Sequence, residues 1–198
     1  MPTSFSQSKT KENLMRAFAG ESQARNRYTF AASIAKKQNL HVIEAVFAFT
    51  AGQEKEHAEI FYNYLQELDG EKITIDGDYP VNVTNDVSKL LQYAGDNEFE
   101  EYSPVYKSFG DVAKEEGFHQ IAATFHNIAE IEKSHGERFA LLKELLDKNK
   151  LFVSDVKCKW ICLNCGYVFE GTAVPENCPV CSHDQGYFIR IELAPYTK

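Results

Sequence analysis

Two short steps, Glu54-Lys55-Glu56-His57 and Glu132-Lys133-Ser134-His135, each place a Glu three residues before a His. On a helix that spacing puts both side chains on one face. A single step of this kind is ordinarily a solvated face, so the flanking pattern decides. Around the first step the helical series reads Ile43, Phe47, Thr50, Glu54, His57, Phe61, Tyr64, Leu68. Around the second it reads Phe125, Ile128, Glu132, His135, Phe139, Leu142. Both acid–imidazole pairs therefore occupy core positions of a 3-4 pattern. A third series runs Leu91, Ala94, Glu98, Glu101, Val105, Phe109, Val112, and a fourth Leu14, Ala17, Glu21, Ala24, Tyr28, Ala31, Ala35. Four helices thus aim five carboxylates and two imidazoles at one interior.

Burying an unpaired carboxylate costs on the order of several kcal/mol. None of the four series contains a Lys or Arg. Two divalent or trivalent cations would offset roughly five negative charges. A Glu from each of two helices with Glu-x-x-His from two others is the side-chain set of a di-iron or di-manganese carboxylate bundle.

Helical periodicity stops near Lys148, and Asn149 to Asp155 read as a short linker. Beyond it come Cys162-Leu-Asn-Cys165-Gly166 and Cys178-Pro-Val-Cys181, two Cys-x-x-Cys knuckles that suit one tetrahedral metal. About forty residues make too small a core to fold unaided, so the metal supplies stability. Iron and zinc both accept four thiolates. Trp160, Tyr167, Phe169, Tyr187 and Phe188 give the knuckles an aromatic setting. Cys158, the fifth cysteine, is surplus to the site.

The interior acids followed by this cysteine pattern resemble rubrerythrins with a C-terminal rubredoxin module, over essentially the whole chain. Trp160-x-Cys162 and Gly166-Tyr167 are similar to rubredoxin; Ser182, where rubredoxins usually carry Gly, departs from it. The resemblance implies a mainly α chain: a ferritin-like four-helix bundle over 1–150 and a rubredoxin-like Fe(Cys)4 β module over 156–198. It implies that Glu54 and Glu132 bridge two non-haem irons. Glu21 then sits on the first iron, with Glu101 or His57 beside it as the redox state changes, and Glu98 and His135 complete the second. The implied activity is reduction of hydrogen peroxide to water. Electrons would arrive through the four-cysteine iron from a rubredoxin or an NAD(P)H-dependent reductase, as part of oxidative stress protection. No Gly-x-Gly-x-x-Gly fingerprint is present, so nicotinamide would bind to that separate protein.

Taken in order, the residues predict helices over about Ser8–Gln38, His41–Leu68, Thr84–Gly117 and Phe118–Lys148. A long crossover over Glu71–Val83 would be pinned down by Ile73, Ile75 and Val81. Gly95 and Pro104 predict a kink in the third helix. Tyr28 is a candidate hydrogen-bond donor to a ligating carboxylate, with an ordinary core aromatic as the equal alternative; Tyr102 is a weaker candidate. His41, His119 and His126 lack ligand partners at suitable spacing and take surface or ordinary polar roles. A formal charge of −8 argues against nucleic acid as a partner. No apolar run has membrane-spanning length. Knuckle-paired cysteines and a polar start place the chain in a reducing cytoplasm. His135 lies roughly 20 Å from the end of its helix at 1.5 Å per residue. That gap predicts a head-to-tail homodimer or higher homo-oligomer, in which each cysteine module serves a partner's site. The competing readings are a dioxygen-reducing ferroxidase or oxidase, non-enzymatic iron storage, and a zinc-ribbon interaction module on a structural bundle.

Overall fold

A computed structural model describes residues 4–195. Helix α1 spans Lys9–Lys37, α2 His41–Asn63, α3 Val87–Glu100, α4 Lys107–Glu115 and α5 His119–Asp147. Strands β1 (Val153–Cys162), β2 (Val168–Ala173) and β3 (Phe188–Arg190) follow. A three-residue turn through Asn39, in left-handed conformation (φ 56°), folds α2 back on α1. A segment without regular structure then crosses to α3, so this is a bundle with one long connection. The second helix ends five residues earlier than its periodicity suggests. Gln66–Leu68 continue it as a 3-10 turn that still buries Leu65 and Leu68. In the crossover Ile73 packs on the bundle, but Val81 is 87% exposed and pins nothing.

The third helix departs from expectation in an informative way. It passes undistorted through Gly95, which is buried against the α5 backbone: a Cβ there would lie 3.6 Å from the Gly136 carbonyl. The irregularity falls wholly at Glu101–Tyr106, a π-helical segment with Ser103 out of helical geometry and Pro104 inside it. A π turn adds one residue. The buried face beyond it therefore moves from the expected Val105, Phe109 and Val112 to Tyr106, Gly110 and Ala113.

Two apolar clusters fill the bundle. One, around Phe47, Leu91 and Phe139, lies toward the α1–α2 turn; the other, around Phe61, Tyr106 and Phe125, lies toward the opposite end. The acids of α1, α2, α3 and α5 sit between them.

Glu116, in the α4–α5 turn, reaches the start of α1. Its carboxylate accepts from the backbone N–H of Lys9 (2.9 Å) and Thr10 (2.8 Å) and from the Thr10 hydroxyl (2.6 Å). Burial pushes this carboxyl up, but the Thr10 hydroxyl and the two N–H groups outweigh it and hold it below the usual range. Glu116→Ala should cost about 1 kcal/mol, as loss of a helix N-cap does. Because the folded-state pKa is depressed, the contribution is present above the carboxylate range and lost as pH falls. Urea unfolding of the two proteins should therefore differ near pH 7 and converge toward about pH 3.

The sheet has order β2-β1-β3, all antiparallel. Its core is Trp160, Cys162, Cys178 and Phe188. Leu151 and Phe152 run from α5 into the first bundle cluster. The module also seats on the α1–α2 turn: the Tyr187 ring stacks on His41 at 4.0 Å, and His41 Nε2 lies 3.7 Å from Asp184. Gly186 is required there, since a Cβ would fall 1.8 Å from the Asn39 carbonyl. His41, expected to take a surface or ordinary polar role, pairs with Glu44 and is also a contact between the two parts.

Candidate metal centres

Four helices deliver six side chains to one dry point: Glu21 from α1, Glu54 and His57 from α2, Glu98 from α3, Glu132 and His135 from α5. Glu21, Glu98, Glu132 and His135 are 0% exposed, Glu54 1% and His57 5%. They form two groups whose ligand-type atoms all lie within 4.8 Å of one another. One is Glu21, Glu54, His57 and Glu132; the other is Glu54, Glu98, Glu132 and His135. Glu54 and Glu132 belong to both. His57 Nδ1 lies 2.9 Å from Glu132, 3.2 Å from Glu54 and 3.8 Å from Glu21. His135 Nδ1 lies 2.8 Å from Glu132, 3.1 Å from Glu54 and 3.5 Å from Glu98.

These atoms are close without being bonded. Both oxygens of Glu54 and of Glu132, one each of Glu21 and Glu98, and both Nδ1 atoms are buried and lack a partner in hydrogen-bond geometry. Native interiors rarely leave polar atoms so. Lone pairs converging on two shared points are what a pair of cations requires, so the residues present fit two iron ions. Three of the outward atoms, by contrast, are satisfied. Tyr106 donates to Glu21 Oε1 at 2.5 Å, Tyr28 donates to Glu98 Oε1, and the far nitrogen of His135 meets Gln53 Oε1 at 3.1 Å. Such outer bonds orient ligands and fix the imidazole tautomer.

Tyr28 therefore takes the donor role the sequence left open. Tyr102 does not: its ring lies under the Lys107 ammonium at 3.8 Å. Tyr106 fills that role and was missed, because the π segment carries it inward one residue off the helical count. Gln53 was missed too, having no periodic signal of its own. Glu101 stands outside both groups, half-buried, in the wall of a cavity of about 270 Å³. His119 is exposed, and His126 packs over Gly110 with Asp111 at 3.3 Å.

Without cations the imidazoles take their place. Burial lowers His57 and His135, but Glu132 and Glu54 outweigh it and push them up to about 9 and about 12. Glu54, also desolvated, is held down to about 2 by those two imidazoles. Glu21 and Glu98 go well above the usual range, from burial first and then from their acidic neighbours. Metal loading must displace these protons. A raised His pKa stabilises the metal-free fold fully below about 6.5 and less as pH climbs through about 9. Anaerobic ferrous titrations should therefore show at least tenfold tighter binding near pH 8.5 than near pH 6.5, with one or more protons released per site. A flat profile would mean that the imidazoles are not ligands.

The second centre is the four cysteines. Cys162 and Cys181 Sγ lie 3.8 Å apart, Cys165 and Cys178 3.6 Å, all four within 4.8 Å of one another. A disulfide would bring sulfurs to about 2.05 Å. Metal–sulfur bonds of about 2.3 Å give a tetrahedron with edges near 3.8 Å, so the spacing fits one tetrahedral ion. The knuckles are built alike: Gly166 N–H donates to the Cys162 carbonyl and Ser182 N–H to the Cys178 carbonyl. Gly166 (φ 79°) and Ser182 (φ 61°) are both left-handed, which is why Gly is the easier residue at either place. Cys162 and Cys178 are buried while Cys165 is exposed, leaving one side of the site near solvent. Cys158 lies outside the group, with its sulfur toward the Gly171 carbonyl.

The chain matches the family model Rubrerythrin over residues 12–143 and the Rubrerythrin, rubredoxin-like domain over 160–189. It is 45% identical over 181 residues to rubrerythrin of Clostridium perfringens, covering 91% of this chain and 93% of that one. Against rubrerythrin of Nitratidesulfovibrio vulgaris it is 40% identical over 181 residues, covering 91% and 93%. A solved nigerythrin in a mixed-valence state superposes with TM-score 0.60 at 29% identity, over 92% of this chain and 89% of that one. Bacterioferritin from Desulfovibrio desulfuricans gives 0.64 at 25% identity, over 72% and 82%. With its bundle, buried acid–imidazole cluster and four-cysteine module, the chain belongs to the rubrerythrin family.

Proposed function

We propose that this protein is a non-haem di-iron peroxidase that reduces hydrogen peroxide to water. The observation that carries the reading is the pairing of an interior cluster of bare ligand atoms with a four-thiolate site on the same chain. In this reading Glu54 and Glu132, common to both groups, would hold both ions, with Glu21 and His57 on one side and Glu98 and His135 on the other. Bound there, two ferrous ions supply the two electrons and the Lewis acidity that cleavage of the O–O bond needs. The residues do the rest. Tyr106 and Tyr28 hold Glu21 and Glu98 in place, and near-zero exposure keeps bulk water from the reacting centre. Glu101, from the cavity wall, is the alternative partner to His57. Two protons must arrive with the electrons for peroxide to leave as two waters.

Reloading sets the assembly. Glu54 lies thirteen residues beyond His41, where the module docks, or roughly 20 Å along α2. The place where the module touches α2 is thus that far from the chain's own cluster. A second copy, packed head to tail, would shorten the electron path; the electrons themselves come from a rubredoxin or an NAD(P)H-dependent reductase.

The test is to reduce the iron-loaded protein anaerobically and mix it with peroxide or with oxygen, following absorption. Reoxidation at least tenfold faster by peroxide is expected. Faster reaction with oxygen would replace this reading with an oxidase or ferroxidase, and a closed multi-subunit shell in solution would favour storage.

A further inference from the structure

With its donors nearly unexposed, the acid–imidazole cluster needs an entrance for any oxidant. A cavity of about 270 Å³ reaches the two residues nearest that need. Glu101 lines it, and so does Tyr106, whose hydroxyl already donates to Glu21. Gly77, Asp78, Tyr79 and Pro80 of the crossover contribute to the same lining.

The crossover is tied down at this place. Arg16 Nη2 pairs with Asp76 at 2.6 Å, and its Nε donates to the Asp76 carbonyl at 3.2 Å. The Tyr79 hydroxyl donates to the Arg16 carbonyl at 3.4 Å, and its ring passes over Gly20, where a Cβ would lie 4.0 Å from it. Tyr79 thus forms an aromatic roof, held at its edge by one long hydrogen bond. Arg27 lines the cavity too. One of its terminal nitrogens donates to Gln23, but its Nε is buried with no hydrogen-bond partner. A guanidinium lining a small, part-apolar chamber is suited to a small molecule that accepts hydrogen bonds. Val105 and Phe109 supply the apolar wall.

We propose that this cavity is the vestibule through which a small peroxide reaches the site, with Arg27 as its hydrogen-bond donor and Tyr79 as a roof that excludes bulky hydroperoxides. The substrate class rests on the peroxidase reading; the entrance itself does not. Arg27 is a binding residue in this role, sharing the cavity wall with Glu101.

Three variants of the full-length, iron-loaded protein test it: Tyr79→Ala, Arg27→Gln and Arg27→Lys, each first checked for unchanged iron content and absorption spectrum. Tyr79→Ala should raise the rate of oxidation by cumene hydroperoxide at least tenfold and that by hydrogen peroxide less than twofold. Arg27→Gln should raise the half-saturating peroxide concentration at least fivefold at a nearly constant limiting rate, with Arg27→Lys partly restoring it. Azide, a small probe that needs no redox chemistry, should bind oxidised Arg27→Gln at least fivefold more weakly, read from absorption. Unchanged azide affinity in Arg27→Gln overturns the vestibule, as does unchanged size selectivity in Tyr79→Ala. If wild-type protein prefers oxygen to peroxide, the peroxidase reading falls while the azide measurement still decides the entrance.

Discussion

Glu98→Gln should lose iron and keep its fold. Glu98 is 0% exposed, and burial, then the charge of Glu54, hold its carboxyl well above the ordinary range against the pull of His135. In the metal-free protein burial thus favours its neutral form, of which glutamine is nearly an isostere. Gln also still accepts from Tyr28. The melting temperature of the metal-free variant should stay within about 2 °C of wild type. With metal the outcome reverses. One anionic ligand is gone, and a buried cation left short of its partner loses about 3–5 kcal/mol. That is roughly a hundred- to a few thousand-fold in affinity, and peroxide reduction should fall with it. Glu54→Gln brackets the result. Its carboxylate, held down to about 2, faces both raised imidazoles. Neutralising it leaves two imidazolium ions sharing Glu132 as their nearest counter-charge, so the metal-free fold too should lose about 3 kcal/mol below about pH 9. Iron analysis and melting of both metal-free variants check the pair. A Glu98→Gln protein holding its full iron would show that the acids are structural and not ligands.

The ligand-type residues were legible because their pattern is local. Glu54 and His57, or Glu132 and His135, lie within one turn, and the apolar residues around them keep helical period over several turns. The cysteine knuckles carry their geometry in their spacing for the same reason. What escaped depends on contacts between distant segments. Glu116 caps α1 from more than a hundred residues away, with no motif at either end. His41 gains its stack on Tyr187 only when the module folds back on the α1–α2 turn. The face of the third helix beyond Glu101 was misread because periodicity assumes a constant count per turn. The π segment breaks it, replacing Val105 with Tyr106 beside the site. Val81 was expected to pack because it is apolar, yet nothing in an irregular crossover fixes which side chains turn inward.

Cys178→Ala should unfold the module and spare the bundle. Cys178 is 1% exposed in a small buried cluster with Trp160, Cys162 and Phe188. So few apolar groups cannot offset the ordering of some forty residues, at about 1–2 kcal/mol each for the backbone. Metal binding, worth on the order of 10 kcal/mol in small metal domains, is folding free energy here. Removing one thiolate opens the tetrahedron and releases most of it. The bundle has its own two clusters and loses only the cover over the α1–α2 turn, chiefly the Tyr187–His41 stack. Hydrogen exchange should collapse over 153–190 and persist in α1, α2, α3 and α5. If the module relays electrons, the variant separates two functions: a chemically reduced acid–imidazole site should still be oxidised once by peroxide, while turnover with an external electron donor should fall at least a hundredfold. Unimpaired turnover would mean that electrons reach the interior irons by a route that bypasses the four thiolates.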